Sequence, residues 1–383
     1  MRGVRILFLK NLESTLKIAL ISTPFVPVPP PLYGGTELFV SNLTTELVLK
    51  GHDVFLFATG DSSVPGAKIG FRFETAQWPP NEETERIHLE AALAWIQELE
   101  KNGRHFDVIH WNTPLASKLM QGPLAPFKTR SVVTIHNALD KTSITLMKQH
   151  NSIHYVLISE RQRELFLLKS RLQPESVKNI HVIHHGLDPN NYFPRTNISY
   201  PEEDRFVCFL GRMSKEKGPD IAVRVARKAG MKLFLAGPVH EKDKGFYDKK
   251  VAPKIDKNVF PLGEVGGMKK VAVLHASEAL LFPIQWEEPF GLVMIEAMLC
   301  GTPVVAFNRG SVSEIIENGL TGFVVENEKE MIHVIKNDLH KLNRRIVLER
   351  AIQRFSGQGM AEKYLELYAH SRFVLGEEIV SSR

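Results

Sequence analysis

The chain has 383 residues, of which 43% are hydrophobic and 24% are charged, and its formal net charge is +5 at pH 7. This length exceeds what one hydrophobic core usually organises, so we expect two domains, and the composition excludes a disordered or a membrane-spanning protein. The mild positive charge fits an anionic small molecule or an anionic membrane face, and we expect no nucleic-acid partner.

The first strand pattern is Lys17–Ser22, and a proline-rich loop follows it. The loop ends in Gly34 and Gly35, just before an amphipathic helix that carries Glu37, and Asp53–Ala58 is the next strand. A strand–loop–helix–strand unit predicts a parallel sheet. The two glycines let backbone N–H groups approach a ligand at a helix start, although a plain N-cap turn also explains them. The three-glycine pattern of a dinucleotide-binding turn is missing.

Two later strands lead into histidines. Asp107–His110 ends in His110, and Ser131–Ile135 is followed by His136. The carboxyl ends of parallel strands border the crevice in which such folds bind ligands. A hydrogen-bonded structural histidine is the alternative at both positions, and the position favours a ligand role for His136.

Basic and polar segments close the first half of the chain. A helix over Glu160–Leu168 carries arginines among leucines, which fits a solvated face or a contact with a membrane surface or an acceptor. The stretch Asn190–Asp204 is polar and contains prolines, so we interpret it as an interdomain linker.

The second half restarts the strand pattern at Arg205–Gly211. Arg212 and Lys217 flank the turn that follows, from which two cations can reach a diphosphate, although loop cations are often merely solvated. The turn is not a P-loop, because no Gly-Lys-Ser/Thr sequence follows. A further strand is predicted at Asn258–Leu262, and a helix at Gly266–Ala276.

Two glutamates follow the next buried strand, Ala279–Pro283. Glu288 lies in the loop, a helix is entered near Phe290 and Gly291, and Glu296 lies within this apolar helix. A carboxylate there is costly unless hydrogen-bond donors meet it, and sugar or ribose hydroxyls would do so. The helix N-terminus suits a phosphate. These features together predict a nucleotide-sugar site. The alternative is a buried strand and helix in which one glutamate extends its carboxylate to solvent and the other lies on the surface.

The pair Glu288 and Glu296, separated by seven residues around Pro-Phe-Gly-Leu, resembles the EX7E signature of retaining family 4 glycosyltransferases (glycosyltransferase group 1). Arg212, Lys217 and the glycine after them match the same family, whereas His185 stands where the family usually has asparagine. The resemblance implies the GT-B fold, an α/β architecture of two doubly wound, Rossmann-like domains facing across a cleft. We place these domains at residues 1–195 (core from about residue 17) and 203–356, with a helix returning to the first domain and a tail at 357–383.

The resemblance also implies a reaction and a set of roles. A hexosyl group would pass from a UDP- or GDP-sugar to a hydroxyl acceptor such as a glycan, a lipid-linked sugar or a small molecule, with retained anomeric configuration. Arg212 and Lys217 would stabilise the leaving diphosphate, Glu288 would hold the transferred sugar, Glu296 the ribose, and His136 the outer sugar hydroxyls. The other implied donor contacts are Gly34, Gly35, Val265, Phe290, Gly291 and Leu292. The implied acceptor-side residues are His110 and Glu37.

We expect no cofactor and no essential metal, because cations of the protein would supply the charge. Cys208 and Cys300 lie in apolar runs, which predicts buried thiols in a reducing compartment. We expect a cytoplasmic protein, with a weak contact at the inner face of the membrane left open. The short apolar run Val4–Leu9 fits an extra strand or an extension, and Ser311 with Glu314 predicts a capping box.

Four alternatives have different signatures. A nucleotide-sugar epimerase of the same fold would release free nucleotide diphosphate without an acceptor, and a non-catalytic nucleotide-sugar-binding subunit would be stabilised by the donor without turnover. A phosphorylase would need a lysine for pyridoxal phosphate, and none stands out. A dehydrogenase lacks its three-glycine turn.

Overall fold

The computed structural model describes residues 15–113, 115–116, 125–150, 152–192 and 205–380. The chain divides into two compact units. The first comprises the chain up to residue 30, residues 34–186 and the chain from residue 357, and the second comprises residues 31–33 and 187–356. Residues 187–192, which the sequence analysis placed in the first domain, are thus grouped with the second unit. The predicted run Val4–Leu9 lies outside the described residues.

Parallel strands form the sheet of the first unit, with the order β3-β2-β1-β4-β5-β6-β7 in its described part. The strands are β1 (Lys17–Ile21), β2 (Asp53–Ala58), β3 (Lys68–Phe71), β4 (Val108–Trp111), β5 (Ser131–Ile135), β6 (His154–Leu157) and β7 (Ile180–Val182). Strand β1 pairs with β2 through Lys17 and Asp53 and with β4 through Ile18 and Val108. Apolar side chains from both faces of this sheet are buried, which is why its strands are nearly continuous hydrophobic runs.

The helices of the first unit cover the two faces of that sheet. They are α1 (Gly35–Leu49), α2 (Glu82–Lys101), α3 (Lys141–Gln149), α4 (Glu160–Ser170) and the C-terminal α12 (Gly357–Val380). Side chains of α12, including Tyr364 and Tyr368, are buried in the same core cluster as Val40 and Leu43 of α1. Strand β3 and helix α3 were not predicted from the sequence.

A second parallel sheet lies in the second unit, with the order β10-β9-β8-β11-β12-β13 among the described residues. Its strands are β8 (Phe206–Leu210), β9 (Lys232–Ala236), β10 (Val259–Gly263), β11 (Leu280–Phe282), β12 (Val304–Phe307) and β13 (Gly322–Val325). Its helices are α5 (Pro219–Ala229), α6 (Lys244–Lys250), α7 (Gly267–Ala276), α8 (Leu292–Leu299), α9 (Val312–Ile315), α10 (Glu328–Asn337) and α11 (Arg344–Phe355). The highly charged stretch 328–354 contains α10 and most of α11.

Each sheet reverses its strand order beside its first strand. In the first unit β1 lies between β2 and β4, and in the second unit β8 lies between β9 and β11. Open parallel sheets bind ligands at such switch points, outside the carboxyl ends of the strands. The loops after β1, β4, β8 and β11 are therefore where functional side chains are expected.

Two predictions about the whole chain can be compared with the structure. The α/β architecture of two doubly wound sheets is confirmed. Cys208 and Cys300 are both buried and free, as predicted. None of the described helices combines the length and the apolar character that crossing a membrane requires.

Candidate functional site

Two loops of the second unit meet at the switch point of its sheet. The loop after β8 carries Arg212 and Lys217 and ends at Gly218, which has a φ of 76° and begins α5 as its N-cap. A Cβ on Gly218 would lie 2.4 Å from the carbonyl oxygen of Pro283, just after β11. Only a glycine allows this approach, so the backbone itself holds the cation-bearing loop against the loop that leads to Glu288.

Glu288 is paired with Lys217 across this contact. Lys217 Nζ lies 2.5 Å from Glu288 Oε2, and the same oxygen accepts a hydrogen bond of 2.8 Å from Trp286 Nε1. The ammonium group of Lys217 also lies 5.4 Å from the centre of a Trp286 ring. Glu288 is only 8% exposed, and a carboxylate this buried is stabilised by a charged donor and a neutral one.

Arg212 contacts two carboxylates, Glu216 in the same loop and Asp243 at the start of α6. Its Nη2 donates to Glu216 Oε2 at 2.5 Å, and its Nε lies 3.3 Å from Asp243 Oδ2 at the start of α6. Burial opposes ionisation of Glu216, but the hydrogen bond and charge of Arg212 prevail and lower the pKa of that carboxyl group. Arg212 Nε is buried and makes no aligned hydrogen bond to a described residue, so the guanidinium retains donor capacity.

The backbone around Glu288 is fixed by the segment that follows β12. Gly310 has a φ of 60°, and a Cβ there would lie 2.3 Å from both the nitrogen and the carbonyl oxygen of Glu288. The backbone N–H of Ser311 donates to the Glu288 carbonyl oxygen at 3.0 Å. The Ser311 hydroxyl donates to the Phe290 carbonyl oxygen at 2.6 Å instead of capping α9, so the predicted capping box with Glu314 is wrong.

Glu296 lies in α8, which has Gly291 as its N-cap and Leu292 as its first residue. Glu296 is 5% exposed, and the sequence analysis expected a ligand to meet this buried carboxylate. The protein supplies two donors of its own: Lys270 Nζ lies 2.5 Å and Tyr192 Oη 3.0 Å from Glu296 Oε1. Lys270 belongs to α7, and Tyr192 lies in the stretch that the sequence analysis interpreted as a linker.

The two glutamates therefore share one arrangement. A lysine and an aromatic donor meet on a single oxygen of each carboxylate, Oε2 in Glu288 and Oε1 in Glu296. A carboxylate can accept about four hydrogen bonds, two on each oxygen. Each glutamate is thus held in place with acceptor capacity left for hydroxyl groups.

Val265, one of the implied donor contacts, lies just after the end of β10. Val265 is buried, and Glu264 Oε1 accepts a hydrogen bond of 2.9 Å from the backbone N–H of Tyr33. Tyr33 belongs to the short segment 31–33 that is grouped with the second unit. Sequence reasoning had no signal for this pairing, because the two residues are 231 positions apart.

The glycine loop of the first unit is built as a helix start. Gly34 is the N-cap of α1, Gly35 its first residue, and Glu37 lies in its first turn. Glu37 is 5% exposed and accepts a hydrogen bond from the Thr23 hydroxyl. Burial raises the pKa of Glu37 against the effect of this hydrogen bond, and no cation among the described residues offsets it.

His136 lies in a hydrogen-bonded series at the carboxyl ends of the strands. Asn112 Nδ2 donates to the Ile21 carbonyl oxygen at 3.3 Å, which turns its Oδ1 toward His136 Nε2 at 3.1 Å. His136 Nδ1 lies 3.2 Å from His185 Nε2. With Asn112 Oδ1 as the acceptor, the network assigns the proton of His136 to Nε2, and His185 donates to Nδ1. Burial lowers the pKa of His136 to about 3.

His110, which was predicted to be an acceptor-side residue, lies in the interior of the first unit. It is fully buried, with Nδ1 2.7 Å from Tyr368 Oη and Nε2 2.7 Å from Thr134 Oγ1, and Thr134 in turn contacts Tyr364 Oη at 2.9 Å. Both ring nitrogens are thus engaged in attaching α12 to the sheet. This environment favours the structural alternative for His110, and its acceptor-side role stays a prediction.

Several residues of the site were missed by sequence reasoning. They are Asn112, Tyr192, Glu216, Lys270 and Trp286. Asn112, Glu216 and Trp286 lie within two positions of predicted residues, whereas Tyr192 and Lys270 lie further away. Within the described residues no group of three or more histidine, cysteine or acidic side chains is arranged to hold a metal ion.

Two protein-family models together match most of this chain. A family model described as glycosyltransferase family 4 matches residues 33–191, and one described as glycosyl transferases group 1 matches residues 194–351. The two matches correspond closely to the two halves of the chain.

Individual proteins give a consistent result. Spore coat protein SA of Bacillus subtilis is 26% identical, covering 93% of this chain and all of that protein. D-inositol 3-phosphate glycosyltransferase of Mycolicibacterium smegmatis is 23% identical over 82% of this chain and 81% of that enzyme. The crystal structure of Anabaena HepE in complex with UDP and glucose superposes with a TM-score of 0.70 at 18% identity, covering 93% of this chain and all of that one, which is a likeness of fold.

Proposed function

The chain belongs to the group 1 / family 4 glycosyltransferases and has their GT-B fold, and from its site we propose that it transfers a hexosyl group from a UDP- or GDP-sugar to a hydroxyl acceptor with retention of configuration. Its activity as a glycosyltransferase follows from the family. The donor, the acceptor and the stereochemical course are the proposal. The mycobacterial relative is named a glycosyltransferase, which gives the epimerase alternative no support.

One observation carries the proposal: Lys217 and Glu288, from loops at the carboxyl ends of adjacent strands, are paired 2.5 Å apart at the switch point. A sugar diphosphate needs a cation for its phosphates and acceptors for its hydroxyls, side by side. The pair offers both, because an ammonium group has three hydrogens and each carboxylate oxygen has more than one acceptor position. Lys217 can therefore remain paired with Glu288 while it donates a hydrogen bond to a phosphate oxygen.

Charge on the departing diphosphate would be stabilised from several directions. Lys217 and Arg212 supply full positive charges, and the first N–H groups of α8, after Gly291, supply the positive end of a helix dipole. Phe290 and Leu292 contribute backbone groups at the same helix start. Arg212 is already oriented by Glu216 and Asp243, so little reorganisation is needed when the anion arrives.

In this proposal the two glutamates accept hydrogen bonds from hydroxyl groups of the donor. Glu288 accepts from the transferred sugar, and Glu296 from the ribose. Glu288 is held by Lys217, and we assign no covalent nucleophile, because a two-carboxylate scheme requires a second carboxylate at the reacting carbon. The bond between the anomeric carbon and the diphosphate oxygen breaks, the acceptor oxygen bonds to that carbon on the same face of the sugar, and the departing diphosphate takes up the acceptor's proton. Because both events occur on one face, the configuration is retained.

The first unit supplies the remaining predicted contacts. Gly34 and Gly35 offer N–H groups at the start of α1, with Glu37 beside them on the acceptor side. Both nitrogens of His136 have protein partners, so it reaches a sugar hydroxyl only by exchanging His185 or Asn112 for the ligand. We propose that no metal is required, because the cations of the loop after β8 meet the diphosphate directly.

The HepE complexes support the donor class: one contains UDP with glucose and another UDP-glucose. A screen of UDP- and GDP-sugars tests the proposal. We expect one donor to raise the midpoint of thermal unfolding and to be consumed, slowly by hydrolysis and faster with an acceptor, with undiminished rates in EDTA. Stabilisation without any turnover would favour the non-catalytic binder, and release of free nucleotide diphosphate independent of every acceptor would favour the epimerase.

A further inference from the structure

Tyr192 is held in place by the beginning of the second unit. Leu187 donates a backbone hydrogen bond of 3.0 Å to Phe355, at the end of α11, and Asp188 caps the 3₁₀ turn Pro189–Asn191. The backbone N–H of Tyr192 then donates to the carbonyl oxygen of Pro189 at 2.9 Å. The ring is 5% exposed, so the side chain enters the unit from a fixed point on its backbone.

The phenol of Tyr192 ends at Glu296. Its Oη lies 3.0 Å from Glu296 Oε1, 104 residues further along the chain. Burial, followed by the charge of Glu296, raises the pKa of Tyr192 well above its usual value. The phenol therefore keeps its proton and can act only as the donor in this hydrogen bond to the carboxylate.

The second donor to Glu296 makes the arrangement directional. Lys270 Nζ also lies beside Oε1, at 2.5 Å, so the two donors fix one oxygen from two elements of the fold. The terminal torsion of a glutamate is broad and two-fold, and a single flexible ammonium group would leave the carboxylate plane free to turn. A hydrogen bond from a rigid phenol fixes this plane and with it the direction of the lone pairs on Oε2.

We propose that Tyr192 is a positioning residue that aims Oε2 of Glu296 at a ribose hydroxyl, and that it makes the site select ribonucleotides over deoxyribonucleotides. This inference rests on the proposed function, in which Glu296 receives the ribose. A site built to accept a hydrogen bond rejects a ligand that lacks the hydroxyl, because the buried acceptor is then left without a donor. This selection requires that the carboxylate of Glu296 keep a fixed orientation.

A purely structural role for Tyr192 predicts a different result. If the ring only filled space, phenylalanine would serve as well, and any loss would fall on stability. If the hydroxyl orients Glu296, its removal weakens ribonucleotides selectively and leaves deoxyribonucleotides nearly unaffected. Tyr155→Phe is the matched control, because Tyr155 is also buried but its hydroxyl has no described hydrogen-bond partner.

The experiment compares the wild-type chain, Tyr192→Phe and Tyr155→Phe by calorimetric titration. The probes are UDP, 2′-deoxy-UDP and 3′-deoxy-UDP, with the corresponding GDP series. We expect the wild type to bind the preferred ribonucleotide at least about tenfold more tightly than one of its deoxy forms, which is the scale of one hydrogen bond to a charged group. In Tyr192→Phe this ratio should fall to about threefold or less, while Tyr155→Phe keeps the wild-type ratio.

Kinetics supply a readout that does not depend on equilibrium binding. With the preferred donor sugar, Tyr192→Phe should raise the KM several-fold and leave kcat within about twofold, since the ribose is remote from the reacting carbon. A wild-type ratio in Tyr192→Phe, or a wild type that does not distinguish ribose from deoxyribose, would overturn the inference while leaving the proposed transfer intact. A wild type that binds none of the nucleoside diphosphates would overturn both.

Discussion

The two units stabilise their buried ionisable side chains differently, one by pairing opposite charges and the other by keeping the side chains neutral. In the second unit, Lys217 is paired with Glu288 and Lys270 with Glu296, so every charge in these pairs is met by its opposite. In the first unit, His110 and His136 lie beside the carboxyl ends of strands without a described ion pair, and burial lowers their pKa so that both are neutral at pH 7. Similar positions in two similar sheets therefore offer different chemistry.

This difference follows from the cost of desolvation. A buried charge is tolerated when a partner of opposite charge and further hydrogen bonds compensate it, whereas a lone imidazole loses its proton instead. The second unit can accordingly meet the full charges of a sugar diphosphate. The histidine region of the first unit, defined by His110, His136 and His185, provides neutral donors and acceptors. We expect substitutions to act mainly on turnover in the second unit and mainly on stability in the first.

The largest effect is expected where that charge pairing is broken. Lys217→Ala and Glu288→Ala should each lower turnover by about a hundredfold or more, the scale of losing one contact to developing charge. Each substitution also leaves the other member of a buried pair uncompensated. The measurement is kcat with the donor identified by the screen.

Lys215→Ala is the matched control for this experiment, because Lys215 is exposed in the same loop. It removes an identical charge two residues from Lys217 and should leave turnover within about twofold, as surface charges usually contribute little. Equal losses in Lys215→Ala and Lys217→Ala would assign the effect to general electrostatics, and near-normal turnover in Glu288→Ala would contradict its role.

Acid should destabilise the histidine region, and His136→Gln should relieve part of that effect. The pKa of His136 is lowered to about 3, below the usual value of about 6.5 in the unfolded chain. Its contribution to stability is therefore complete above about pH 6.5 and is lost as the pH falls toward 3. At pH 5 the loss is about 2 kcal/mol for one such histidine.

A glutamine does not titrate, so the drop in the thermal midpoint between pH 7 and pH 5 should be smaller in His136→Gln than in the wild type. Fluorescence follows mainly the first unit, which contains three of the four tryptophans. His105→Gln, at an exposed position of that unit, should retain the wild-type drop. The same drop in His136→Gln would mean that His136 is not a neutral buried group.

A smaller effect is expected at the hydrogen bond that joins α12 to His110. Tyr368→Phe leaves His110 Nδ1 without its hydroxyl partner and should destabilise the first unit by about 1–2 kcal/mol. The acceptor KM should not change, because the His110–Tyr368 pair is buried. Tyr155→Phe, whose hydroxyl has no described partner, should be nearly neutral. A raised acceptor KM with unchanged stability would support the acceptor-side role of His110.

The sequence predicts the strands of these sheets well for a physical reason. A parallel strand with helices on both faces is apolar throughout, and Asp53–Ala58 and Ser131–Ile135 were predicted to the residue. Strand β3 (Lys68–Phe71) was missed because it lies at a sheet edge, is partly exposed and is short. Local signals also correctly predicted that Gly34 and Gly291 lie at helix starts.

Contacts between distant residues could not be predicted in the same way. The sequence identified Glu296 as a costly buried carboxylate, but its donors Tyr192 and Lys270 come from a presumed linker and from another helix. The contact of His110 with Tyr368 spans 258 residues, so a local pattern could not separate a structural histidine from a functional one. The sequence shows which single residues are chemically unusual, whereas the residues that contact them can be identified only from the fold.

The smallest effect tests the departure at His185, where the resembled family usually has asparagine. In the structure His185 Nε2 lies 3.2 Å from His136 Nδ1, so the unusual residue occupies the acceptor nitrogen of His136. Asparagine is shorter, and His185→Asn should free this nitrogen for a sugar hydroxyl and lower the donor KM by about threefold or less, less than one full hydrogen bond. The check is KM for the donor sugar, measured beside the inhibition constant Ki of the corresponding nucleoside diphosphate, which lacks the sugar. If both constants change equally, His185 acts on the unit as a whole; if only the sugar-dependent one changes, His136 contacts the sugar and the neutral region takes part in donor binding.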